Sequence, residues 1–358
     1  MHRKTGTTYR NFLLIEIMDK TSAAHQQAGL TPEQQQQIAA AAEILRSGGT
    51  VAFPTETVYG LGADAANPSA IQKIYRIKQR PVDHPLIVHI GAISGLHHWA
   101  QAIPESAWKL AQHFWPGPLT LILPRSAHIP DCVTGGQDTV GLRMPAHPIA
   151  LALLRALGEE KALAAPSANR FGRISPTVAA HVRQELGMEV DMILDGGMCQ
   201  VGLESTIISF HDEIPQILRP GGISPAAIEA VLQSPVLLAH HRPQTIRASG
   251  TLPAHYAPVT PLRLYPTAEL WRHTSALAEQ GLRVLVITWS DSDHLRSALN
   301  RLIEQSAMPS DPAAYGQQLY ATLRQADQSG FDYLLVEMPP NHLDWLAITD
   351  RLQRASYR

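Results

Sequence analysis

The chain has 358 residues, of which 45% are hydrophobic and 17% charged, enough apolar material for two packed domains. Its 29 basic and 31 acidic residues leave a formal net charge of −2, and aromatics make up only 6%. That balance excludes a globally basic nucleic-acid binder and argues against a base-stacking RNA platform.

In chain order, residues 1–30 hold basic side chains and then "FLLIEIM". Glu16 breaks that run and no small-residue cleavage site follows, so a loosely ordered extension is expected, not a signal peptide. No apolar run reaches the ~18 residues of a membrane span. Thr31, Pro32 and Gln34 form the N-cap, first turn and capping box of a helix that Gly48 and Gly49 stop. "TVAFPT" is a short apolar strand, and the "YGLG" that follows reads as a flexible turn. In "NPSAIQKIYRIKQRP" the apolar residues recur at helical spacing, and Pro81 ends the helix with Lys78 and Arg80 at its exit. "PLIVHI" is a strand, "PESAWKLAQHFWPG" a helix, and "LTLIL" and "TVGLRM" are strands.

Further on, "HPIALALLRALG" is a helix and "ALAAPSAN" a strand ending in polar residues. "SPTVAAHVRQELG" reads as a helix capped by Ser175 with Pro176 behind it. Strands at "DMILDGG", "ESTIISF" and "QILRPG" precede the helix "SPAAIEAVL". This order is mixed α/β, because a doubly wound sheet would alternate strands and helices more strictly. Residues 234–261, rich in Pro and His and without periodicity, form a linker or functional loop. After it, "LRLYP", "LRVLVITW" and "FDYLLVEMPP" are strands separated by helices such as "TAELWRHTSALAEQG" and "DWLAITDRLQRAS". They make a Rossmann-like unit with no G-x-G-x-x-G, so no dinucleotide is assigned to it.

Walker, zincin, C-x-x-C and nucleophile-elbow motifs are absent. Cys132 and Cys199 lack metal-ligand spacing and read as reduced thiols of a cytoplasmic protein. What remains is six polar clusters, each at the end of an apolar element. They are Thr55–Tyr59; Lys78 and Arg80 with His84 and His89; Thr139 with Arg143; Ser167, Asn169 and Ser175 with Arg170 and Arg173; Glu204–Thr206; and Arg219 before a glycine turn. Lys78 and Arg80 fit either a solvated helix end or a ligand site. Ser167 and Asn169 fit a plain turn as well. Arg143, inside an apolar strand, requires an anion, either a protein carboxylate or a ligand's. Together the set is cationic and hydroxylic, which suits a polyphosphate beside an amino acid and catalysis by positioning and charge stabilisation.

"FPTETVYGLGADA", "KQRP", "HPLIVH", "FWPGPLTLIL", "VGLRMPAHP", "APSAN" and "ESTI…LRPGG" resemble the YrdC-like domain of threonylcarbamoyl-AMP synthases, over about residues 33–232. "ASGTLPAHYAP" and the α/β unit after it resemble the longer, two-domain form of that family. The resemblance implies an α/β fold: a twisted mixed sheet with a large concave cavity over 31–233, a linker over 234–261 reaching across it, and a Rossmann-like domain over 262–358. It implies a nucleotidyltransferase joining L-threonine, bicarbonate and ATP into L-threonylcarbamoyl-AMP, with Mg2+, release of pyrophosphate, and no prosthetic group or metal-binding side chains. Downstream enzymes would pass the threonylcarbamoyl group to tRNA, with at most a weak tRNA contact by this chain and none with a membrane.

Carried onto this sequence, Lys78, Arg80, Ser167 and Asn169 resemble the catalytic, ATP-handling set. His84, Thr139, Ser175, Arg219, His255 and Tyr256 resemble further ATP contacts, with His84 standing where Asn is usual. Thr57, His89, Arg143, Ala165 and Ser205 resemble the threonine cradle. In the linker, Ala248-Ser249-Gly250 stands where Ser-Pro-Gly is common, so a hydroxyl contact is lost or shifted by one. Two rivals stand beside this reading: a carbamoyltransferase that uses carbamoyl phosphate, and a non-enzymatic RNA-binding or ribosome-maturation protein.

Overall fold

A computed structural model describes residues 29–210, 214–239, 246–290 and 301–357. The expected extension therefore lies almost wholly outside the described residues. Among them run strands β1 (Val51–Phe53), β2 (Gly60–Asp64), β3 (Ile87–Ile90), β4 (Leu119–Pro124), β5 (Thr139–Arg143), β6 (Ala162–Ala164), β7 (Met192–Ile193), β8 (Thr206–Ser209), β9 (Gln216–Arg219) and β10 (Leu237–Leu238). They form one mixed sheet in the order β10-β9-β8-β4-β5-β3-β6-β2-β1-β7. The β1–β2, β2–β6, β3–β6, β4–β5 and β8–β9 pairs are antiparallel, and the rest are parallel. The longer helices of this domain are α1 (Pro32–Arg46), α2 (Pro68–Lys78), α3 (Glu105–Phe114), α4 (Pro148–Leu157), α5 (Ala179–Leu186) and α6 (Pro225–Leu232).

Local chemistry starts these helices where expected. Thr31 and Gln34 exchange both hydrogen bonds of the capping box on α1. Asn67 caps α2, with Pro68 as its first residue. Strand alternation then sorts the core. Val51 and Phe53 pack with α1 and α4, while Ala52 joins the cluster that holds Ile71 and Ile74 of α2 and Leu110 of α3.

Two local expectations are corrected. "YGLG" is not a turn: Gly60 and Gly62 open β2, which pairs with β1 through Phe53↔Gly60 and Val51↔Gly62. A Cβ at Gly62 would stand 2.8 Å from the Phe53 ring, so glycine here gives room for close packing between the strands. Ser175 does not cap a helix. The helix begins at Ala179 after Val178, and the Ser175 hydroxyl donates instead to Glu204. A buried carboxylate outcompeted the local backbone for that hydroxyl.

The second domain carries β11 (Leu262–Tyr265), α7 (Thr267–Glu279), β12 (Val284–Thr288), β13 (Ile303–Ala307), α8 (Pro312–Gln328), β14 (Tyr333–Glu337) and α9 (Leu346–Ser356). Its sheet is wholly parallel, in the order β11-β14-β12-β13. The edge strand β13, "IEQSA", was not legible in the sequence, because an edge exposes most of its residues and carries no apolar run.

The two domains share a core. Val58, Ile174 and Leu203 of the first pack with Leu319, Tyr320 and Leu323 of α8. Asp327 of α8 binds Arg173 at 3.1 Å and accepts the backbone N–H groups of Val259 and Thr260. Arg324 of the same helix pairs with Glu185 of α5.

Candidate active site

Residues 54–59 join β1 to β2, and Thr55 shapes that loop. Its Oγ1 donates to the Val58 carbonyl at 2.6 Å and accepts the N–H groups of Thr57 and Val58. The turn aims Thr55, Thr57 and Val58 at a cavity lined by residues from distant parts of the chain. Ile87 and His89 line it from alternate positions of β3, while Val88 and Ile90 face the core behind. Arg143, beside His89 in the β3–β5 ladder, closes the floor.

The segment after β6 supplies Ala165, Ser167, Asn169 and Phe171. Lys78, at the end of α2, holds this segment. Its Nζ donates to the carbonyls of Ser167 (2.6 Å) and Asn169, while its own carbonyl accepts the Phe171 N–H. Arg219 ends β9. Its Nε and Nη2 donate to the Ser205 carbonyl, and Nη2 also reaches Ser205 Oγ at 3.1 Å. Ser249, His255 and Tyr256 of the linker line the cavity as well.

Tyr256 holds its place in left-handed backbone (φ 62), which is costly for a bulky residue. The Tyr256 side chain lies in the shared core and stacks on Tyr320 with ring centroids 5.8 Å apart. Gly250 faces it, with φ +76. A Cβ there would stand 2.0 Å from the Tyr256 hydroxyl, so this position admits glycine alone without rearrangement.

Twelve of the fifteen sequence-derived candidates thus line one cavity: Thr57, Lys78, Arg80, His89, Arg143, Ala165, Ser167, Asn169, Ser205, Arg219, His255 and Tyr256. Three lie beside it. Thr139 lines a small adjoining hollow that shares Ile87 and Ser249 with the main cavity. His84 sits edge-on to Phe171, and its carbonyl accepts Tyr75 Oη–H and Arg80 Nε–H. Ser175 stands behind Glu204.

Sequence reasoning assigned Phe171 no role, and Glu56 and Ser249 no named partner, although each lies inside or next to a polar segment. Glu56 Oε1 accepts Arg143 Nη2–H at 2.6 Å, so the strand arginine does have a protein carboxylate. The same Nη2 also donates to Thr57 Oγ1 at 2.9 Å. Phe171 packs edge-on to His255 and lies under the Arg80 guanidinium at 5.4 Å. In the linker, the hydroxyl has shifted by one position: Ser249, not Ala248, faces the cavity, and its carbonyl accepts from Arg219 at 2.8 Å.

The charge balance favours an anion. Lys78, Arg80, Arg143 and Arg219 face one carboxylate, Glu204, among the lining residues. Burial, reinforced by Arg80, pulls the Lys78 ammonium well below its usual pKa, and burial brings Arg80 down to about 10. An arriving polyanion relieves both strains by supplying opposite charge. Two buried polar atoms in the cavity, Asn169 Oδ1 and His255 Nδ1, have no partner among the described residues, so both are available to a ligand.

Burial holds the His89 and His255 imidazoles at about 3, so both are neutral at working pH. The unfolded chain, with ordinary histidines near 6.5, binds more protons below that pH. Stability is therefore complete above about pH 6.5 and is lost as the pH falls toward 3. Urea midpoints at pH 7.5 and pH 5 should show a loss of about 2 kcal/mol per buried histidine at the lower pH. Equal midpoints would mean that these rings are solvated.

This fold and this cavity define a two-domain α/β protein with a cationic, hydroxyl-lined site suited to an anion. A family profile described as "Telomere recombination" matches residues 43–221, and one described as "Threonylcarbamoyl-AMP synthase, C-terminal domain" matches residues 223–356. The chain belongs to the threonylcarbamoyl-AMP synthase family. The threonylcarbamoyl-AMP synthase of Bacillus subtilis is 42% identical over 327 residues, covering 89% of this chain and 93% of that protein. The Pyrococcus abyssi protein of the same name is 40% identical over 328 residues, covering 88% and 93%. A crystal structure of P. abyssi Sua5 complexed with L-threonine superposes with a TM-score of 0.82 at 38% identity, covering 90% of this chain and 94% of that one.

Proposed function

We propose that this chain joins L-threonine, bicarbonate and ATP to give L-threonylcarbamoyl-AMP and pyrophosphate, as a nucleotidyltransferase serving threonylcarbamoyladenosine modification of tRNA. The observation that carries this reading is the convergence of Lys78, Arg80, Arg143 and Arg219 with Thr57 and Ser205 on one cavity. The names of its relatives and the threonine complex of P. abyssi Sua5 support it.

The chemistry suits these residues. The threonine amine takes up CO2 from bicarbonate and loses a proton, giving a carbamate. A carbamate oxygen attacks the α-phosphorus of ATP, the bond to the β-phosphate breaks, and pyrophosphate leaves. The carbamate is already anionic, so the attack needs no general base. Lys78, Arg80 and Arg219 stabilise the charge on the phosphates. Arg143 holds the threonine carboxylate, while Thr57 and Ser205 bind its hydroxyl.

Thr139, in the adjoining hollow, and His84 flank the nucleotide, and Asn169 Oδ1 and His255 Nδ1 take its remaining polar groups. Ser175 acts on the nucleotide side through Glu204. Glu56 and Glu204 are both held by arginines, and no cluster of three or more His, Cys, Asp or Glu among the described residues is arranged to hold a metal. Magnesium enters with the triphosphate as part of the substrate. No helix among the described residues is long and apolar enough to cross a membrane. The free thiols Cys132 and Cys199 support a reducing, cytoplasmic location. The product passes to downstream tRNA-modifying enzymes, with any tRNA contact by this chain weak.

Pyrophosphate release with ATP, bicarbonate and each of two amino acids tests the reading. Threonine should exceed valine by about 10^4, because a site built to hydrogen-bond a hydroxyl rejects the isostere lacking it. Thr57→Val should cut that ratio by at least about tenfold. Release that requires carbamoyl phosphate and ignores threonine would replace the synthase reading with a carbamoyltransferase.

A further inference from the structure

Arg351 belongs to α9 of the second domain, yet its fully buried guanidinium touches three parts of the cavity's construction. Nε donates to Glu204 Oε2 at 2.8 Å. Nη2 donates to the carbonyl of Pro220, the residue after Arg219, at 3.0 Å. The guanidinium carbon lies 5.0 Å from the centre of the Tyr256 ring. Nη1 binds the neighbouring Asp350, whose carboxylate also holds Arg354, and Arg354 donates to the carbonyls of Thr251 and Leu252 in the linker.

Glu204 is out of place in an anion site. It lines the cavity beside Ser205, close enough to Arg219 for each to feel the other's charge. Besides Arg351, it accepts only neutral hydroxyls among the described residues, from Ser175 and from Tyr320 at 3.0 Å. A buried carboxylate deprived of its cation turns to the nearest remaining one. Here that cation is Arg219, whose guanidinium already holds the carbonyl and hydroxyl of the adjoining Ser205 and is one of the groups assigned to the phosphates.

We propose that Arg351 is a positioning residue of the active site: by holding Glu204 from the second-domain side, it keeps that carboxylate off Arg219 and leaves the Arg219 guanidinium for the substrate's phosphates. The inference rests on the ATP-dependent reading above and gives the second domain a part in it. The second domain thereby supplies the countercharge that makes a wall containing an acid compatible with a polyanion.

The test is calorimetric titration of ATP, together with KM for ATP and for threonine, on the full chain as wild type, Arg351→Met, Glu204→Gln and the double variant. Arg351→Met should weaken ATP at least about tenfold and leave the threonine KM within about twofold. Adding Glu204→Gln should restore ATP affinity to within about threefold of wild type, since no carboxylate remains to capture Arg219. A purely structural role predicts the opposite, a double variant as weak as Arg351→Met or weaker. Unchanged ATP affinity in a folded Arg351→Met, or failure of the second substitution to rescue, overturns the inference. Should Arg351→Met not fold, the double variant, which buries no unpaired charge, carries the test alone: folded with near-wild-type ATP affinity it supports the inference, and folded with affinity reduced more than about tenfold it overturns it. A wild type that does not bind ATP overturns the synthase reading and this inference with it, whereas a binding wild type with an unaffected Arg351→Met overturns the inference alone.

Discussion

Replacing Arg143 with alanine is expected to lower threonine-dependent pyrophosphate release by about three orders of magnitude and to destabilise the fold by about 3–5 kcal/mol. The two losses have separate causes. For catalysis, the proposed function assigns the guanidinium to threonine's carboxylate, so on that reading threonine loses its orientation toward the nucleotide without it. For stability, Arg143 binds Glu56 at 2.6 Å where both side chains are nearly inaccessible. Its removal leaves a buried carboxylate with, among the described residues, only the Ala146 N–H, at 2.9 Å, still donating to it. Adding Glu56→Gln to Arg143→Ala separates the causes. Denaturant midpoints should recover most of the lost stability, while pyrophosphate release stays low. If Arg143→Ala turns over at the wild-type rate, the amino acid is held elsewhere and the assignment of the cradle fails.

Lys78→Met is expected to reduce pyrophosphate release by about 10^2–10^3, close to the effect of removing one preorganised charge-stabilising donor. The substitution keeps most of the side chain's volume, so the core around α2 loses little. The two carbonyls of Ser167 and Asn169 lose their shared donor, which costs about 1–3 kcal/mol for each carbonyl left buried and unsatisfied. That strain falls on the segment that presents Ser167, Asn169 and Phe171, so ATP affinity should fall together with the rate. Titration of ATP and initial rates on the same preparation check this. A variant that keeps its ATP affinity and its rate would reduce Lys78 to a structural tie between α2 and the loop.

The legible part of this protein is the part whose physics is local. The capping box of Thr31 and Gln34, the periodic helix before Pro81 and the apolar strand β1 depend on residues within a few positions of one another, and each stands where the sequence puts it. The polar clusters were legible for a related reason: hydroxyls, cations and an acid at the ends of apolar runs have no business in a core, so they mark a site even before the chain is folded. The failures are equally specific. Gly60 and Gly62 read as a turn because glycine usually marks one, while in the fold they let β2 pack against the Phe53 ring. Ser175 read as a cap because serine before proline favours one locally, while Glu204, 29 residues on, competes for its hydroxyl and wins.

The sequence by itself determined most of the elements and their order, β2 and the edge strand β13 excepted, together with the inventory of cations and hydroxyls available for anion chemistry. The tertiary structure alone decided which charge answers which. It paired Arg143 with Glu56 across 87 residues and Arg351 with Glu204 across 147, and it gathered residues from Thr57 to Tyr256 around a single cavity. The reason is physical: propensity and periodicity act over one or two turns of chain, whereas the pairing of buried charges is set by which side chains end up together away from water, and only the assembled sheet and its second domain determine that.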